Sequence, residues 1–393
     1  MNLKLFCKLA AILSVALGLS GCWDNKEMDE YGYVQGVAID ATPDGKFALE
    51  TLFYNPTNAQ STGGSSKPSE KRGLTIQTKG ESLFEAVREI PMKLGRKAKW
   101  DHMRVILLGE RLLKSHDAGE ILDFFSRDHE PRGTVLPIVA QSDAGRFLEI
   151  KPLIEETIGQ QFKRMETEGA HYSAKTSGIP LYDLAIHLKS PARVAIIPFL
   201  HQDETDKKAI LSGLAILKKG KLAGILDSKE TATFMMLDNR YRIGILTIPC
   251  QGAGSPQIGT AESLEVLSFS NKMKVSFDEV GRVHVGMKIR IRGTAGELQC
   301  SKLDSPKETK RFEEQVSDMV EEQLQHTVSI LQQYESDALG IGNRIASRHP
   351  KKWRQMESSW DKSFAKCRFR FDVETEIVGT GMDIGTPFSQ EED

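Results

Sequence analysis

Ser305-Pro306-Lys307-Glu308 opens the stretch on which the fold turns. Ser305, Pro306 and Glu308 supply the N-cap, N1 and N3 positions of a helix together. Behind them Phe312, Val316, Met319, Val320, Leu324, Val328 and Leu331 form one apolar stripe at spacings of three and four. The helix is predicted to run to Ser336, a length of about 45 Å at 1.5 Å per residue. A strand ready to receive it follows. Phe369, Phe371, Val373 and Ile377 face one way, and Arg368, Arg370, Asp372, Glu374 and Glu376 the other. One face is core and one is wet. The stripe therefore reads as packing on its own sheet, with a partner-binding coiled coil as the rival.

Upstream, Val283, Val285, Met287, Ile289 and Ile291 alternate as a half-buried strand does. Further strands are predicted around Ile243–Ile248 and Glu262–Phe277. A hairpin, Ile210–Leu217 and Lys221–Leu226, turns at Lys219-Gly220 and opens this half. The polar run His201–Lys208 sets the boundary before it. Residues 205–380 are thus expected to form an antiparallel sheet covered by a long helix.

Residues 22–200 have a different rhythm. Pro43-Asp44-Gly45 joins two apolar runs into a hairpin. Residues 57–72 are rich in Ser, Gly and Lys and lack the apolar content to pack. A strand follows at Gly73–Thr78. Ser82 and Glu85 make a capping box for a helix that Pro91 should kink or end. Strands at Met103–Leu108 and Thr134–Ala140 alternate with helices at Asp117–Arg127, Asp143–Ile150, Leu153–Glu168 and Leu181–Leu188. Val194–Phe199 closes this half. This rhythm predicts a mixed sheet with helices packed on it. The fold class is α+β, a mixed α/β protein. Residues 381–393 form an acidic tail, expected to be disordered.

The first 21 residues read as a signal peptide. Lys4 and Lys8 precede an apolar run from Leu9 to Leu19, shorter than the roughly 20 residues that span a bilayer. Leu19-Ser20-Gly21-Cys22 resembles the cleavage and lipidation box of bacterial lipoproteins. Cys22 is the expected lipid attachment site, carrying a covalent diacylglycerol with or without an N-acyl chain. An ordinary secretory leader is the plainer alternative.

The chain is 39% hydrophobic and 27% charged, with a net charge of −2. Loss of Lys4 and Lys8 with the leader makes the balance more acidic still. No basic field exists to hold nucleic acid. Of five cysteines, Cys250, Cys300 and Cys367 remain after the leader and anchor are set aside. They are far apart and odd in number, so buried free thiols are expected. One pair could still bond, and the sequence does not say which.

Chemistry-bearing motifs are scarce. There is no P-loop, GxGxxG, HExxH or nucleophile elbow. Ser359-Trp360-Asp361-Lys362 matches SxxK by letter but lacks the companion Lys-Thr-Gly triplet. Asp128-His129-Glu130 sets three potential ligands side by side, and neighbours in sequence rarely converge on one ion. A polar helix end is the reading taken, with Arg127, Glu130 and Arg132 as a surface ion network. No catalytic, metal or cofactor residues are assigned.

Cys22-Trp23-Asp24-x-x-Glu27 with Gly36-x-Ala38-Ile39-Asp40 resembles the start of the Ger(x)C family of spore germination lipoproteins. Arg127-x-x-Glu130-x-Arg132 is similar to its middle block, as is Gly213-x-Ala215-x-Leu217-Lys218 followed by Lys221-Leu222 and Gly224. Asp337-x-x-Gly340, Pro350-x-x-Trp353, Trp360, Phe364 and Gly379 follow the family's order at the far end. The resemblance runs from Cys22 to about Gly379. Asn25 and Lys26, the Ser61–Lys67 loop and the tail depart from it.

The resemblance implies a non-enzymatic C subunit of a nutrient germinant receptor. It implies a lipid tether to the outer face of the spore inner membrane, with multi-pass A and B membrane subunits as partners. Direct nutrient binding is not expected, because the family's nutrient pocket is assigned to the membrane subunits. Trp23 would sit in the membrane interface or pack on the first domain. Trp353 and Trp360 would be core or partner anchors. A solute-binding lipoprotein of an ABC importer shares the anchor. It would need two parallel-sheet lobes joined by hinge crossings.

Overall fold

A computed structural model describes residues 27–55, 73–250 and 261–379. The leader, Cys22, Trp23, the loop at 57–72 and the tail lie outside the described residues.

The first sheet contains β1 (Tyr31–Ala41), β2 (Phe47–Tyr54), β3 (Gly73–Gly80), β4 (Lys97–Lys99), β5 (Val105–Gly109), β6 (Leu136–Ala140), β7 (Val194–Gln202), β8 (Ala209–Lys218) and β9 (Lys221–Leu226). Its order is β3-β2-β1-β5-β6-β7-β8-β9, with β4 beside the start of β1. The β1, β5, β6 and β7 strands are parallel, and both edges are antiparallel hairpins. The parallel strands follow helical crossovers, which parallel pairing requires. Ser82 caps the helix Leu83–Arg88, and a second short helix, Ile90–Leu94, takes Pro91 near its start. One core lies on each side of this sheet, and the larger continues beneath the second sheet.

The second sheet contains β10 (Gly244–Pro249), β11 (Ala261–Phe277), β12 (Val283–Ala295) and β13 (Arg368–Gly379), in that order. The helix Pro306–Gln333 packs along β13. Ser305 Oγ accepts from Glu308 N, and Phe312, Val316, Val320, Leu324, Val328 and Leu331 are all buried. The stripe therefore belongs to the core of its own sheet. On β13, Phe371 and Thr375 are buried while Arg370, Asp372, Glu374 and Glu376 are exposed, matching the alternation read from sequence.

The α+β class and the helix-covered second sheet hold, with four differences in detail. First, β13 joins β12 in parallel, with Met287 opposite Phe371, so the second sheet is not wholly antiparallel. The helices between β12 and β13 supply the long crossover that parallel pairing needs. Second, the hairpin β8–β9 extends the first sheet rather than opening the second: Ile196 pairs with Ile216. Gly213 sits there at φ +96°, where a Cβ would lie 2.7 Å from the carbonyl of Leu226. Third, a helix not foreseen, Ser228–Leu237, follows a capping box of Asp227 and Glu230.

Fourth, Cys250 and Cys300 form a disulfide, correcting the expectation of three free thiols; Cys367 is free and buried. Burial pushes the Cys367 thiol up to about 12, so it is not a reactive thiolate. The buried carboxylate of Glu262 holds the segment that carries Cys300. Its Oε1 accepts from the backbone N–H groups of Gln299, Cys300 and Ser301 at 3.1, 3.0 and 2.7 Å. The bridge spans 50 residues, and closing such a loop is worth about 2–4 kcal/mol. Replacing both cysteines by Ser is expected to lower the unfolding free energy by that amount in urea titrations. Wild-type protein with reductant should match the variant.

Candidate functional site

The chain enters the fold at the end of the first sheet where the parallel strands begin. Glu27 is the first described residue, followed by a 3-10 turn at Met28–Glu30 and then β1. Antiparallel pairing brings Tyr54 and Gly73 to the same end, and Tyr31 pairs with Lys97 of β4. A cavity of about 860 Å³ opens there. Met28, Tyr33, Gln35, Leu74 and Leu94 line it, with Arg96, His102, Arg104 and Glu156. His102 meets the ring of Tyr33 edge-on at 5.4 Å. Gln35 is only 4% exposed, and its Oε1 has no hydrogen-bond partner.

The residues that carry the family likeness do mechanical work elsewhere. At the far end of β1, Asp40 accepts from Ala144 N at 2.8 Å and Gly145 N at 2.9 Å. It ties down the turn after β6. Asp337 accepts from Ile341 N, Gly342 N and Trp360 Nε1 at 2.9, 2.6 and 3.0 Å. A Cβ on Gly342 would lie 2.6 Å from Trp360 Nε1, so only glycine lets the helix start approach the indole. Trp353 and Trp360 are buried with ring centroids 5.5 Å apart, which makes them core residues.

The expected Arg127–Glu130–Arg132 network is not formed. Arg127 pairs with Asp123, while Glu130 reaches Lys97 and Lys99 and accepts from Trp100 N. Glu130 thus pins β4 to the helix end. His129 is exposed beside it. Among the described residues, no group of three or more His, Cys, Asp or Glu is placed to hold a metal ion. No described helix is long and apolar enough to cross a membrane.

Burial raises the carboxyl groups of Asp40, Glu166, Asp238 and Asp337 above their ordinary values, against opposing hydrogen bonds or nearby cations. A raised carboxyl binds a proton more readily folded than unfolded. Its contribution is present below the unfolded value and is lost as pH rises through the folded one. The opposite case is Glu374, lowered by Lys288 and Arg290, which gives up stability only below its ordinary value. The melting temperature is therefore expected to rise on moderate acidification from neutral pH, and to fall only below the ordinary carboxylate range. Thermal melts across a pH series check this.

The described residues form two sheets whose turns are clamped by Asp40, Glu130 and Asp337. Two family models match in tandem: the spore germination protein N-terminal domain over residues 24–202, and the spore germination B3/GerAC-like C-terminal domain over 212–381. The gap between them takes in the β7–β8 loop and the start of β8, although those strands pair with each other. Spore germination protein KC of Bacillus subtilis (strain 168) is 26% identical, with 96% of each chain covered. Spore germination protein B3 of the same organism is 24% identical over 96% of this chain and 99% of its own. A crystal structure of the GerBC protein shares the fold at a TM-score of 0.58 and 21% identity, covering 90% of this chain and all of that one. The chain belongs to the Ger(x)C family of spore germination proteins, a family of germination proteins and not of enzymes.

Proposed function

We propose that this protein is the lipid-anchored C subunit of a nutrient germinant receptor. It would act as an assembly and signalling partner of the multi-pass A and B subunits on the outer face of the spore inner membrane. The observation that carries this reading is the Leu19-Ser20-Gly21-Cys22 box, whose Cys22 lies five residues before Glu27, the first described residue. In this reading a diacylglycerol on Cys22 holds the folded domains in a thin layer at the membrane. Confinement raises the effective concentration toward membrane partners, so weak contacts suffice. The protein needs no cofactor beyond its lipid, and the membrane subunits hold the nutrient.

Mass spectrometry of the N-terminal peptide from spore membranes tests the anchor. A peptide beginning at Cys22 and carrying a thioether diacylglycerol is expected. An unmodified N-terminus, or cleavage elsewhere, contradicts it.

A further inference from the structure

The chain's entry point, the large cavity and a set of exposed apolar side chains coincide at one end of the first sheet. Met28 is 73% exposed on the cavity wall, and Leu74 is partly exposed beside it. Ile154, 94% exposed, stands two residues before the lining residue Glu156. Side chains so bare and apolar gain by leaving water. Arg96 and Arg104 line the same cavity and are exposed. Their side chains make no ion pair with the described residues. Gln35, whose Oε1 has no partner, lines the same cavity.

The tether selects the occupant. From Cys22 to Glu27 is five residues, which span at most about 18 Å when fully extended. If Cys22 is acylated, as proposed above, this end of the sheet stays within that distance of the bilayer surface. The far end of β1 is about 35 Å further along a strand of eleven residues.

We infer that this end of the first domain is a phospholipid-binding face. Met28 and Ile154 enter the interfacial zone. Arg96 and Arg104 take a lipid phosphate, a contact for which the guanidinium is suited. A headgroup hydroxyl or ammonium donates to Gln35 Oε1, supplying the partner that buried acceptor lacks. The contact sets the orientation of the ectodomain as well as its distance from the membrane.

The test uses the full mature chain with Cys22→Ser, so that acylation plays no part. Flotation is measured with vesicles of phosphatidylglycerol and phosphatidylethanolamine. The parent protein is expected to float. Met28→Glu with Ile154→Glu, and separately Arg96→Glu with Arg104→Glu, should each weaken binding by about tenfold or more. Val280→Glu with Ile245→Glu alters exposed apolar residues of the second sheet region and should leave binding unchanged. All variants change exposed positions, and unaltered melting confirms that they fold. A parent that does not float, or equal loss in the control pair, overturns the inference. An acylated native protein whose Cys22→Ser form ignores vesicles refutes this face and leaves the anchor standing. An unacylated native protein whose chain still floats refutes the anchor instead.

Discussion

Cys22→Ala protein is expected to wash off spore membranes in high salt, where the acylated protein stays, with germination by its receptor slowed at least tenfold. Each buried acyl methylene contributes about 0.8 kcal/mol to membrane binding, and two chains make an anchor far firmer than one. No apolar-face contact replaces that, because the exposed residues near Glu27 are few. Without the tether, encounter with membrane partners becomes an ordinary bimolecular event, and an avidity gain of about 10²–10⁴ is lost. Fractionation, immunoblotting and loss of refractility under nutrient measure both effects. Germination at normal rate, carried by non-acylated protein, refutes the tethering account.

Asp337→Ala is expected to be the most destabilising single change among the clamps. Asp337 is 2% exposed and gathers two backbone N–H groups and the indole of Trp360. Alanine removes the acceptor and leaves three buried donors facing a small void. Each unsatisfied donor costs about 1–3 kcal/mol, and partial water entry holds the sum to about 3–5 kcal/mol. Asp337→Asn keeps the volume and one acceptor oxygen, so it should cost less. Burial raises the Asp337 carboxyl, so both variants should also blunt the gain in stability on acidification. Urea titrations at two pH values decide this. A loss under 1 kcal/mol for the alanine variant shows that the turn at Gly340–Gly342 holds without its clamp.

Much of the architecture was legible because it is amphipathic. The Ser305 cap, the stripe from Phe312 to Leu331 and the alternation in β13 each leave a period in the sequence. The features that escaped leave none. The helix Ser228–Leu237 buries Thr231, Thr233 and every residue from Phe234 to Leu237, so no single face stands out. Its capping box at Asp227 and Glu230 was the available signal. The helix expected from Leu153 begins at Ile158, and the Thr157–Gln160 capping box marks that start. Leu153 and Ile154, within the span expected to be helical, are exposed ahead of the helix. Alternation in β12 and β13 is the same for parallel and antiparallel pairing, so only the helical crossover between them reveals the direction. The Cys250–Cys300 bridge joins positions 50 residues apart and has no local pattern.

The site was legible in part. The motif residues Asp40, Glu130, Asp337 and Trp360 stood out as a set, but sequence did not show that they clamp turns. Gln35 gave no signal at all, since an unpaired buried amide is visible only in three dimensions.

The central claim is membership in a membrane complex. Capture of this protein from membranes of sporulated cells, solubilised in mild detergent, followed by identification of what accompanies it, tests that claim directly. The account predicts a pair of multi-pass membrane proteins and no ATPase. Recovery of a permease with an ATP-binding subunit would contradict it and point to solute uptake.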